Sequence, residues 1–105
     1  MLLGRVSKQP NETRRYLLDF GKRRLGSGEY LISVSPTVTP DTLPPITATV
    51  TLIQATVGDP TSVTCIYLYV GGGLDDTTYK ITLTTVPDDT GIVWEDEIEV
   101  IVEDV

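Results

Sequence analysis

Apolar and polar residues alternate with a period of two along most of this chain, the signature of strands with one face on a core and the other toward solvent. Residues 77–86 place Tyr79, Ile81 and Leu83 on one side and Thr78, Lys80, Thr82 and Thr84 on the other. Residues 92–102 turn Ile98, Val100 and Val102 inward and Glu97 and Glu99 outward, with Glu103 following on the outer side and Ile101 breaking the alternation. The polar stretch Pro87 to Gly91 between them has hairpin length, so the two strands are predicted to pair. Residues 62–70 are apolar on both parities, Cys65, Tyr67 and Tyr69 alternating with Ile66, Leu68 and Val70, which predicts a central strand covered on both faces. Residues 47–57 carry Val50 and Leu52 against a row of threonines and end at a Gly58-Asp59-Pro60 turn. Residues 29–35 direct Tyr30, Ile32 and Val34 inward, and residues 15–20 offer Tyr16, Leu18 and Phe20 at the same spacing. For the latter segment a short helix capped at Asn11 is the competing reading. Pro36, Pro40, Pro44 and Pro45 predict a loop over 36–46, since each removes a backbone donor that a central strand needs.

Six candidate strands without a later helical run predict an all-β fold: an antiparallel β-sandwich of Greek-key type with six to seven strands. The chain's 105 residues suit one domain spanning 1–105, with 1–13 as a candidate N-terminal arm. Arg5 interrupts the apolar start, so no signal peptide is expected, and no run approaches the roughly 18 apolar residues of a membrane span. Synthesis in the cytoplasm and no membrane partner are the expectations.

Charge modifies this picture by its placement. Seven of the eight basic residues (Arg5, Lys8, Arg14, Arg15, Lys22, Arg23 and Arg24) precede residue 25 beside two acids, a net of +5, while the remainder carries Lys80 against thirteen acids, a net of −12. Such a split can steer one end of a molecule toward the opposite end of a neighbour, and it disfavours nucleic acid as a partner for the acidic body. Two ordinary solvated surfaces are the plainer reading.

Catalytic chemistry finds little to work with. The chain has no histidine, which removes the usual general base and the commonest metal ligand. Cys65, the single cysteine, falls in a strand predicted to be buried, without a basic neighbour in sequence to lower its pKa. Asp75-Asp76 and Asp88-Asp89 are carboxylate pairs in turns and the weak candidates for calcium, though acids and glycines commonly populate turns for conformational reasons. Gly71 to Gly73 lacks the lysine and helix of a phosphate loop and predicts a tight turn at positive φ. No cofactor and no enzyme activity are expected. Trp94 either fills the core or anchors a contact, and Tyr79 can serve as a tyrosine corner.

The order of several short motifs is more specific. Arg14-Arg15-Tyr16-Leu17-Leu18-Asp19-Phe20, then Leu25, Gly28-Glu29 and Ile32, later Ile66-Tyr67-Leu68-Tyr69-Val70-Gly71-Gly72 and Thr78-Tyr79-Lys80-Ile81-Thr82, resemble the fiber-tail adaptors of tailed phages over most of residues 8–86. The resemblance implies an immunoglobulin-like sandwich built into the virion in several copies, contacting tail, neck, portal or fiber chains. The chain departs from that pattern in its acidic last strand, with Glu95, Asp96, Glu97, Glu99, Glu103 and Asp104, and in its proline-rich stretch. The candidate contact residues are Arg14, Arg15, Lys22, Arg23, Arg24, Pro44, Pro45, Trp94, Glu95, Glu97 and Glu99. A capsid decoration protein, or a free calcium- or carbohydrate-binding module, is the alternative.

Overall fold

The computed structural model describes residues 1–22, 24–40, 45–89 and 91–104; Arg23 and Pro44 lie outside the described residues. Seven strands form two facing sheets: β1 (Leu2–Lys8), β2 (Thr13–Asp19), β3 (Leu31–Thr39), β4 (Ile46–Gln54), β5 (Val63–Gly72), β6 (Thr77–Pro87) and β7 (Trp94–Val102). One sheet has the order β1-β7-β6-β3 and the other β2-β5-β4. The chain crosses between them after β1, β2, β3 and β5, so that strands distant in sequence pair, as a Greek-key reading requires. All pairs are antiparallel except β1 with β7, which run parallel. Residues 2–8, read from sequence within an N-terminal arm, are thus a strand of the four-stranded sheet.

The period-two pattern locates the core. Ile66, Leu68 and Val70 of β5 face Tyr79, Ile81 and Leu83 of β6 and Val100 and Val102 of β7, all at 1% exposure or less. Each such side chain contributes about 1.5–3 kcal/mol by leaving water. Residues 13–19 form a strand and not a helix, because Tyr16, Leu18 and Phe20 reach this core only at a spacing of two.

Three expectations are corrected. Pro36 sits inside β3, opposite Leu83, because β3 is the outer strand of its sheet, where a missing N–H is tolerated. Ile32 is 46% exposed and Leu31 takes the inward place, since the register shifts by one residue between Leu31 and Ser33 and this bulge brings both Leu31 and Val34 to the core. Among the described residues no further layer covers the outer face of β5: Cys65, Tyr67 and Tyr69 are half-buried on the outside of the three-stranded sheet.

The glycine turn after β5 follows its expected logic. Gly72 and Gly73 have φ of 70° and 104°, and a Cβ on Gly73 would stand 2.8 Å from Ile46 Cγ2 and 2.9 Å from Val102 Cγ2. This close approach lets the chain pass from one sheet to the other over the end of the core. The buried Tyr79 secures the same corner, its hydroxyl accepting a hydrogen bond from Leu74 N–H at 2.9 Å.

Candidate functional site

Strand pairing between β1 and β7 places the basic start of the chain beside its acidic end. Arg5 Nε lies 2.6 Å from Glu99 Oε2, and Lys80 Nζ lies 3.4 Å from Glu97 Oε1 across β6 and β7. Arg14 pairs with Glu12 at 3.1 Å, and backbone bonding to Gln9 together with this arginine holds the Glu12 carboxyl below its ordinary pKa. Much of the charge separation evident in sequence is therefore met within the chain. Exposed pairs of this kind are weakened by solvent and contribute little to stability.

Arg24 is the extreme case. Its guanidinium forms a two-pronged pair with the Asp96 carboxylate, Nη1 donating to Oδ2 at 2.8 Å and Nη2 donating to Oδ1. Asp96 is fully buried, Arg24 is 19% exposed, and the guanidinium also lies 5.3 Å from the centre of the Trp94 ring. Trp94 is accordingly part-buried and packed against the core. The Tyr-x-x-Asp-Phe motif builds this contact. Phe20 anchors in the core, its carbonyl accepts from Arg24 N–H and Leu25 N–H, and Asp19 Oδ1 accepts from Lys22 N–H, closing a turn that carries Arg24 across to the other sheet. Asp96 shares the inward parity of Ile98 and Val100, and an acid at that parity was the sequence signal that a buried partner was required.

The remaining candidates do not converge. Lys22 and Glu95 are exposed and Pro45 is half-buried just before β4. The aspartate pairs act as turn residues: Asp75 Oδ1 accepts from Asp104 N–H at 2.8 Å, Asp88 Oδ1 from Tyr30 N–H at 3.3 Å, and Asp89 Oδ1 from Gly91 N–H at 3.2 Å, while Asp76 has φ 59°. Among the described residues no group of three or more His, Cys, Asp or Glu could hold a metal ion. Burial pushes the Cys65 thiol up from its ordinary pKa, which disfavours the nucleophilic thiolate.

What the fold does assemble is an outward patch on the three-stranded sheet. Register sets Leu17, Tyr67 and Thr51 in one row and Arg15, Tyr69 and Thr49 in the next. The two tyrosine rings meet edge to face at 6.2 Å, and the Arg15 guanidinium stacks 4.4 Å above Tyr67. Leu17 is 61% exposed. Rigid aromatic rings, an arginine held by one of them and an unshielded leucine make a surface suited to protein contact. Sequence reasoning named Arg15 but missed Leu17, Tyr67 and Tyr69; the available signal was the apolar outward parity of β5.

A family model described as podophage GP4 fiber-tail adaptor protein matches residues 8–101, and the chain belongs to that family. No curated protein and no solved structure matches it. Among the described residues no helix is long and apolar enough to cross a membrane.

Proposed function

We propose that this member of the fiber-tail adaptor family is a non-catalytic connector that docks against other tail or fiber chains through the outer face of its three-stranded sheet, in several copies per particle. The observation carrying this reading is the contiguous Arg15, Leu17, Tyr67 and Tyr69 patch, in which β-sheet geometry holds the rings in place before any partner arrives. Such preorganisation lowers the entropic cost of docking. Modest individual contacts become durable when several copies engage together.

A photo-crosslinking residue in place of Leu17 is expected to form an adduct with a tail or fiber chain in assembled particles, whereas the same residue at the exposed loop position Val57 is not. Absence of the chain from purified particles by mass spectrometry, or equal crosslinking from both positions, would overturn the reading.

A further inference from the structure

The two sheets are unequal. The four-stranded sheet faces one of only three strands, and on one side the pair is closed, β3 packing on β4. Counting across from that side leaves β1, among the described residues, without a strand opposite it. A groove runs there between the edges of β1 and β2, lined by Leu3, Gly4, Val6, Tyr16, Leu18 and Ile98. It has room: a Cβ built on Gly4 meets nothing within 4 Å. The Tyr16 hydroxyl is enclosed and, among the described residues, meets no hydrogen-bonding group of the protein.

The edge of β2 on this side is open to pairing. β2 holds an unbroken register with β5 from Thr13 to Asp19 and contains no proline, glycine or bulge to block a neighbouring strand. The closed side, by contrast, carries Pro36 and a bulge on β3. Charge defines what fits. Arg5 on β1 and Arg14 on β2 are already paired with Glu99 and Glu12, which leaves the exposed Arg15 on the outer side of β2 as the cation for a partner's acids. Arg15 lies over the Tyr67 ring and, among the described residues, forms no ion pair.

We infer that the β1–β2 groove receives an extended segment of a partner protein, apolar at alternate positions and acidic at those between, which pairs with β2 as a fourth strand of its sheet. Backbone hydrogen bonds supply affinity, the groove takes the apolar side chains, and Arg15, on the outer side of β2, selects the acids. The inference rests on the docking reading above, but is tested on the purified chain, so either can fail alone.

The probes are capped synthetic peptides of about nine residues, the length of an ordinary strand, alternating valine with glutamate, or with lysine in the twin. The glutamate peptide is expected to slow hydrogen exchange of β2 amides and to bind at least roughly tenfold more tightly than the lysine peptide, as one or two added charge pairs allow. Gly4→Trp, which fills the groove, abolishes binding; the double variant Arg14→Glu, Arg15→Glu, on the exposed surface, reverses the peptide preference. Protection absent from β2, equal binding of both peptides to the parent chain, or binding unchanged by Gly4→Trp would overturn the inference. So would self-association in sedimentation that Gly4→Trp removes, since the groove would then hold a second copy.

Discussion

The carboxylate of Asp96, buried at the start of β7, is held on both oxygens by the guanidinium of Arg24, 72 residues earlier in the chain. The pair ties the loop after β2 in one sheet to a strand of the other, over the face of Trp94.

Removing one partner leaves an uncompensated charge in a largely buried site. Asp96→Ala is therefore expected to lower stability by about 3–5 kcal/mol, read from urea unfolding midpoints. Replacing both partners, Arg24→Met with Asp96→Leu, is expected to recover most of that loss, because two apolar side chains need no mutual neutralisation. A single-variant loss below about 1 kcal/mol would show that the contact is incidental.

Gly73 and Gly28 both have positive φ, yet only Gly73 is crowded. Gly28→Ala is expected to cost about 1 kcal/mol for backbone conformation alone. Gly73→Ala adds the clash with Ile46 and Val102 and is expected to cost at least about 2 kcal/mol, with thermal melts ranking the two. Equal melting temperatures would contradict the close approach at this corner.

The enclosed Tyr16 hydroxyl makes no hydrogen bond to another protein group among the described residues. Tyr16→Phe removes that polar group while keeping the ring, so stability should hold or rise by up to about 1 kcal/mol in urea unfolding. A loss of the same size would mean that the hydroxyl is satisfied after all.

Lys8 is 3% exposed, its amine donating to Gln9 O at 2.6 Å and to Gly72 O. Burial lowers its pKa from the ordinary 10.5, outweighing the opposing pull of Glu12. Between the lowered folded value and 10.5 the unfolded chain binds more protons than the folded one, so this group makes stability rise with pH across that window. Unfolding midpoints of the parent chain should therefore gain on those of Lys8→Met as pH approaches 10.5. A constant difference between the two would remove lysine titration as the cause.

The strand content and most of the core were legible because β5, β6 and β7 each carry a local two-residue pattern: Leu68, Tyr79, Ile81, Val100 and Val102 could be placed inward without knowing any partner. The family motif around Tyr16, Asp19 and Phe20 was legible for the same reason, being local. The inward position of Ile32 was misread because a bulge depends on how β3 registers with β6, a relation that a single segment does not encode. Pro36 was misread because its tolerance depends on β3 being an edge.

The candidate contact surface divides along the same line. Sequence by itself determined an all-β chain with a basic start, an acidic end and no histidine for catalysis, since these are properties of composition and local alternation. Only tertiary structure decided that Arg5 and Arg24 meet Glu99 and Asp96 within the chain, and that Arg15, Leu17, Tyr67 and Tyr69 share one exposed face. The physical reason is that which strands pair, and in which register, is set by long-range burial, and that pairing determines which side chains are neighbours.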